Sequence, residues 1–278
     1  MTTIIDHTAL QQDMPQMRPT LTGSVGVRTR AGLTAALAAV GAGAALVAAP
    51  SPSVGLAGAA VGAGAVTALA ANWSTCGMSV AGVVVAPKQP GRAGSSTPMR
   101  RLGWHALGSV ATGSVTGVAV GVLGHLALGS VPVGLLLGVW ATLALLYGLH
   151  ELGVLRMPTP MRRQQLPRHL RRSMEPWKVS LLFGAIIGPG FLIYIRSSAY
   201  YLMALGVAAV GSPILGAAVF VAVSLGRCMP SALAILHTRR GGSMPGFLSL
   251  MCLVDRRVQA LTGAVLVGLA VYAGIAAL

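Results

Sequence analysis

The chain has 278 residues, of which 54% are hydrophobic and only 9% are charged, against roughly 25% charged residues in an ordinary soluble domain. Such a chain cannot cover a globule of its size with a water-compatible surface, which excludes a soluble enzyme, a disordered protein and a disulfide-rich secreted module. A net charge of +15 would suggest nucleic-acid binding in a soluble chain, but membrane proteins collect basic residues on their cytoplasmic side. The composition therefore predicts an all-α, polytopic membrane protein that contacts lipid and not nucleic acid.

Seven apolar runs are candidates for spanning helices, because a helix needs about 20 mostly apolar residues to cross a bilayer. The runs cover residues 31–49, 54–87, 104–128, 132–155, 179–210, 213–237 and 258–278. Three of them are interrupted, at residues 72–77, 188–190 and 227–230. The first run could instead belong to a cleaved signal peptide, but the polar stretch before it is long for one, so we expect a retained anchor helix.

The Lys and Arg residues divide the loops into two classes. All of them except Arg196 and Arg227 lie before the first run or in the loops after the second, fourth and sixth runs. The loops at 50–53, 129–131 and 211–212 contain none. Because Lys and Arg mark the cytoplasmic side, we expect a multi-pass protein of the cell inner membrane, with a cytoplasmic N-terminus and a periplasmic C-terminus.

The spans after the first fall into two similar halves. Each half begins with an overlong, interrupted helix and ends with a Gly and a Tyr at the same spacing. Three spans per half give the halves opposite orientations, so the sequence predicts an inverted repeat with its site near the midplane, where the broken helices meet. The expected segments are a cytoplasmic tail (1–30), an N-terminal anchor with a short outer loop (31–53), the first half (54–155), a basic cytoplasmic loop (156–178) and the second half (179–278).

The interruptions hold the residues on which a site could be built. They contain Ser74, Thr75, Cys76 and Gly77, then Gly188, Pro189 and Gly190, and then Arg227, Cys228 and Pro230. Free backbone N–H groups at a helix break favour a thiolate, so Cys76 is the candidate redox thiol and Cys228, beside Arg227, is its candidate partner. Either cysteine is also compatible with a small buried packing residue.

Two cations, Arg196 and Arg227, fall inside predicted spans. Charge at membrane depth is costly, so such residues usually face a cavity or a partner. Arg196 could instead end a short span and reach the outer interface, whereas Arg227 lies well inside the sixth run.

The remaining polar residues indicate neither a metal site nor a cofactor. His105 and His125 lie at opposite ends of the third run, roughly 30 Å apart along a helix, so they cannot share a metal. His150 and Glu151 are interpreted as a polar cap at the membrane interface, with a proton relay as the alternative. Cys252 is expected to be a free thiol in the reducing cytosol. We therefore expect no metal and no cofactor.

Several segments together resemble the DsbD/CcdA family of membrane thiol–disulfide transporters. They are Ser74-Thr75-Cys76, Arg100-Arg101-Leu102 before a Gly-rich span, residues 145–153 before a basic loop, residues 182–190, and residues 225–230. That family exchanges electrons through one cysteine in each broken helix. The resemblance implies a thioredoxin-like electron donor and a cysteine-rich periplasmic client.

The sequence departs from that family in two places. Thr75 stands where the family has Pro, and residues 191–194 contain no counterpart of the second family cysteine, so a relay would need Cys228 as a substitute. Among divergent relatives, the extra N-terminal span and the single cysteine are most similar to the methylamine-utilization proteins. That similarity implies maturation of the disulfide-rich small subunit of methylamine dehydrogenase, by thiol–disulfide transfer or chaperoning through Cys76.

Two other functions stay open from the sequence. The inverted repeat and the intramembrane charge are compatible with a secondary transporter of a small solute, which would be an anion if Arg196 and Arg227 bind it. The many glycines are compatible with a structural subunit that anchors another protein through small-residue helix faces.

Overall fold

The computed structural model of the protein describes residues 25–70, 73, 80–82, 84–85, 97–158, 174–190 and 197–278. This part of the chain is helical and contains no strand, which confirms the predicted all-α class. Its main helices are α1 (Val27–Ala48), α2 (Pro52–Leu69), α3 (Pro98–Leu128), α4 (Val133–Glu151), α5 (Pro176–Ile187), α6 (Ser198–Val210), α7 (Pro213–Arg239) and α8 (Met244–Ala276).

The helices are those of a multi-pass membrane protein. Six of them, α1 to α4, α7 and α8, are long and apolar enough to cross a membrane. Helices α5 and α6 are also apolar but have only 12 and 13 residues, and a crossing needs about 20. They divide the fifth predicted run between them, so the predicted count of seven spans holds only approximately.

Helices α7 and α8 differ from the boundaries that the sequence predicts. The sixth run is expected to break at residues 227–230, but α7 continues through Pro230 to Arg239. A proline removes one backbone donor, and neighbouring groups in a membrane bundle can compensate for it, so the helix need not end there. Helix α8 begins at Met244 instead of residue 258, because the N–H of Gly246 donates to Ser243 Oγ (3.2 Å) and caps an earlier start.

Helix α3 packs most extensively against α7, and we call this contact the α3–α7 seam. The residues that meet along it are Gly121 with Ser212, Gly117 with Gly216, Gly113 with Phe220, and Ser109 with Ser224. Successive pairs advance by four residues in opposite directions along the two helices, so the helices are antiparallel. Glycine occupies three of the α3 positions because a Cβ there would collide with the backbone of α7 or the side chain of Ser224.

Corresponding helices of the two predicted halves are neighbours. Helix α3 packs against α7, α4 against α8, and α2 against α6. This pairing is what a pseudo-two-fold relation between inverted halves predicts. Helix α1 lies outside this arrangement and packs on α8, where Gly41 meets the backbone of Gly268.

The described basic residues other than Arg227 collect at one end of the bundle, which we call the basic end. Helix ends there carry Arg28, Arg100, Lys178 and Arg239. Two contacts tie these ends together: Arg30 Nη1 donates to the carbonyl of Leu152 (2.9 Å) just after α4, and the rings of Trp104 and Trp177 lie 5.2 Å apart where α3 and α5 begin. Paired tryptophans beside cations are typical of a membrane interface.

The α3–α7 seam is tested by adding a side chain to it. A Gly117→Val change puts a branched side chain against the backbone of Gly216, so we expect the free energy of unfolding in detergent to fall by about 2 kcal/mol. Gly138→Val is the control, because open space surrounds the Cβ position of Gly138 on α4. Equal stability of the two variants in a denaturant titration would contradict the close approach.

Candidate functional site

The second interruption ends a half-helix inside the bundle. Helix α5 stops at Ile187, and the next residues cannot extend it normally, because Pro189 has no N–H to donate to the carbonyl four residues back. Gly190 then takes a φ of +82°, which favours glycine, and a Cβ there would overlap the ring of Tyr200. The chain therefore leaves the helix with its last carbonyl groups in the protein interior.

Arg227 on α7 meets the end of this half-helix. Its side chain is only 7% exposed, and its Nη1 donates a hydrogen bond to the carbonyl oxygen of Ile187. The guanidinium also lies over the ring of Tyr200, 5.2 Å from the ring centre. The C-terminal end of a helix carries partial negative charge on its free carbonyl groups, so the buried cation of Arg227 is stabilised at the end of α5. The intramembrane charge that the sequence singles out thus has a partner.

Tyr200 closes the other side of the break. Its hydroxyl donates to the carbonyl oxygen of Pro189, and its ring packs edge-on against Phe220 and Tyr201. Since Tyr200 lies in the first turn of α6, this contact joins the second half-helix to the end of the first.

Glu151 is the last residue of α4, and its side chain reaches the N-terminal end of α6, where a negative charge is favoured. Its side chain is 7% exposed, and its Oε1 accepts a hydrogen bond from the backbone N–H of Ser198 at 2.7 Å. A carboxylate is stabilised at a helix N-terminus by the free N–H groups there. The sequence interpretation of Glu151 as an interfacial cap misses this contact, and the available signal was that Glu151 is the carboxylate inside a predicted span.

Cys228 lies on α7 in a ladder of short polar contacts. Its thiol is buried and donates to the carbonyl oxygen of Ser224 at 3.4 Å. The hydroxyl of Ser224 in turn donates to the carbonyl oxygen of Ser109 on α3 at 3.0 Å. The thiol therefore sits next to the α3–α7 seam, one residue from the cation that holds the end of α5.

The segment 74–79, which lies outside the described residues, is flanked by contacts with α7. Before it, the backbone of Ala68 lies against Gly226, so closely that a side chain at Gly226 would collide with it. After it, Val80 packs in one apolar cluster with Ile235. Cys228 lies between Gly226 and Ile235 on α7.

The structure describes part of the predicted site. Ser74, Thr75, Cys76, Gly77 and Arg196 lie outside the described residues. Arg227 comes together with the Gly188-Pro189-Gly190 break, and Cys228 lies beside it. Pro230 is buried within α7, and Cys252 is partly exposed on α8. Among the residues described, no three His, Cys, Asp or Glu side chains cluster in a way that could hold a metal ion.

Sequence comparison gives the relatives of the chain. It is 31% identical to the methylamine utilization protein MauF of Methylobacillus flagellatus over 223 residues, which are 78% of this chain and 76% of that protein. The chain belongs to the MauF family.

Two further MauF proteins support the assignment. MauF of Methylophilus methylotrophus is 32% identical over the same shares of both chains. MauF of Methylorubrum extorquens is 36% identical over 176 residues, which span 60% of this chain but only 59% of that relative. No family model and no solved structure matches the chain.

The contact between Arg227 and α5 is tested by removing the charge while keeping the side-chain length. Arg227→Met leaves the carbonyl of Ile187 without its charged donor, so we expect the free energy of unfolding in detergent to fall by about 2 kcal/mol. Arg239→Met at the exposed end of the same helix is the control and should change it little. A larger loss in the control would show that Arg227 does not stabilise the broken helix.

Proposed function

We propose that this MauF-family protein is an inner-membrane factor that helps to mature a cysteine-rich periplasmic protein, the small subunit of methylamine dehydrogenase. Its relatives are named for methylamine utilization. The proposed mechanism is thiol–disulfide exchange through Cys76 and Cys228. The alternative for the same client is chaperoning through Cys76 without electron transfer.

The observation that carries the proposal is the position of Cys228 between the two contacts that flank the segment of Cys76. Cys76 and Val80 are four positions apart, a span of at most about 14 Å in an extended chain. Val80 packs with Ile235, which lies about 10 Å along α7 from Cys228. This length of chain permits the approach of Cys76 to Cys228 that the proposal requires, since a disulfide needs their Cα atoms within about 7 Å.

The chemistry follows from a pair of thiols at this place. The thiolate of Cys76 would attack a wrongly paired disulfide of the client and form a mixed disulfide. Cys228 would then attack Cys76, release the client sulfur and leave a Cys76–Cys228 disulfide. A thioredoxin-like dithiol donor would reduce that disulfide and reset the protein. The resemblance to the DsbD/CcdA family supports this cycle, with Cys228 in place of the cysteine missing from residues 191–194.

The proposed topology serves such a cycle. The basic end would face the cytoplasm, because Lys and Arg mark that side of a membrane protein. The N-terminal tail (1–30) and the basic loop (156–178) would then be cytoplasmic, and the C-terminus would be periplasmic. A donor would act from the cytoplasm, and a client would be reached from the periplasm.

The contacts of Arg227 favour thiol exchange over anion transport. An anion-binding arginine must offer its guanidinium to the solute, whereas this one donates to the carbonyl of Ile187 and lies over the ring of Tyr200. Its charge is engaged by the end of α5, which makes it a holder of the broken helix next to Cys228.

The proposal is tested by trapping thiols in cells grown on methylamine. We expect acid quenching and alkylation with a heavy maleimide to reveal either a Cys76–Cys228 disulfide or a Cys76 adduct with a periplasmic protein. Cys76→Ser should abolish both species and stop maturation of the dehydrogenase small subunit. Cys228→Ser should make the client adduct accumulate, because the resolving thiol is gone.

Cys252→Ser is the matched control, since Cys252 is a partly exposed cysteine on α8 to which no role is assigned, and this variant should behave as wild type. Normal client maturation in the Cys76→Ser, Cys228→Ser double variant would contradict thiol exchange. If maturation is normal in that variant, loss of a stable complex with another protein after substitution of the glycine-rich helix faces would favour the structural anchor function.

A further inference from the structure

Three polar side chains between α3 and α7 have no hydrogen-bond partner in the described part of the chain. His105 is completely buried, and its ring nitrogens have no hydrogen bond of good geometry, although the backbone of Ser180 lies within hydrogen-bonding range of the ring. The hydroxyl groups of Ser109 and Ser231 are also buried and unbonded. The His105 ring lies beside the backbone of Ser180 on α5 and close enough to Arg227 for the two side chains to interact electrostatically. We call His105, Ser109 and Ser231 the polar column.

The α3–α7 seam brings this column to the level of Cys228. Each step along the seam moves four residues toward the start of α3 and four toward the end of α7. The same register, continued by one step beyond the Ser109–Ser224 contact, predicts that His105 lies opposite Cys228. Ser231 lies one turn beyond Cys228, on the side of the basic end. The unbonded groups therefore lie on both sides of the thiol.

Buried polar groups in proteins are almost always bonded to protein or to ordered water, because an unbonded one loses the hydrogen bonds it made in solution. Three such groups in one column indicate that one kind of bound species forms hydrogen bonds with all of them. A bound metal ion is disfavoured there, since Arg227 on α7 and Arg101, one turn from His105 on α3, bring positive charge. Water, which can accept from the hydroxyl groups and donate to the imidazole, fits the column.

We propose that His105, Ser109 and Ser231 hold a short file of internal water molecules beside Cys228 that carries its proton. The water site stands on the geometry of the seam. Its use by Cys228 rests on the proposed thiol function.

The need for a proton follows from the balance of the exchange. When a dithiol donor reduces a Cys76–Cys228 disulfide, the S–S bond breaks, the donor becomes a disulfide and two electrons pass to the two protein sulfurs. Each protein sulfur is formed as a thiolate and takes up one proton, while the two donor thiols release two protons at the basic end. Cys228 is buried, so its proton needs a polar route, and the column supplies one.

The water site is tested by hydroxyl-radical footprinting of the whole protein in lipid nanodiscs, because radicals generated from internal water label the side chains beside it. We expect labelling of His105 comparable to that of the exposed His125. Trp140 is the dry control: it is as deeply buried, its Nε1 is bonded to the carbonyl of Leu202, and its ring reacts more readily than imidazole. Labelling of His105 as low as that of Trp140 would overturn the water site.

The proton role is tested with His105→Phe and Ser231→Ala, measuring the rate at which a reduced dithiol donor reopens the Cys76–Cys228 disulfide. We expect each variant to slow this rate by about tenfold or more, with Trp140→Phe unchanged. A wild-type rate in both column variants would overturn proton delivery. Labelled His105 in a protein whose Cys228→Ser variant still matures its client would keep the water site and reject only the thiol function.

Discussion

Helices α3 and α7 touch backbone to backbone because Gly113, Gly117 and Gly121 carry no side chain on the contacting face. In lipid, where apolar burial gives helices little reason to associate, such close packing is a main source of association energy. It also fixes register, since glycines spaced by four residues match the helical repeat of the partner. The α3 residues that lie near Cys228 are determined by that register, which also forms the Ser109–Ser224 contact.

The break in the second half is stabilised by charge rather than by packing alone. Ending α5 inside the bundle exposes carbonyl groups, and starting α6 there exposes N–H groups, which lipid cannot satisfy. Arg227 bonds the first end and Glu151 the second, so each half-helix meets a charge opposite to its own. A functional break in a membrane helix needs such partners, and the proposed thiol chemistry takes place beside one of them.

The sequence predicts the parts of this structure that depend on neighbours in the chain. Apolar runs give the spanning helices, and Gly188-Pro189-Gly190 gives the break after α5, because both follow from local chemistry. The contact of Glu151 with Ser198 could not be predicted, since it joins helices that are distant in sequence. The unbroken course of α7 through Pro230 also depends on its surroundings in the bundle.

The register of α3 on α7 determines which residues lie opposite Cys228, and cross-linking in membranes measures this register. In a background without native cysteines, Ser109→Cys with Ser224→Cys should form a disulfide on mild oxidation, because these residues are in contact. The pair Ser109→Cys with Ser231→Cys, two turns farther along α7, should not. Cross-linking of the second pair in preference to the first would mean that His105 does not lie opposite Cys228, and the account of the site would fail.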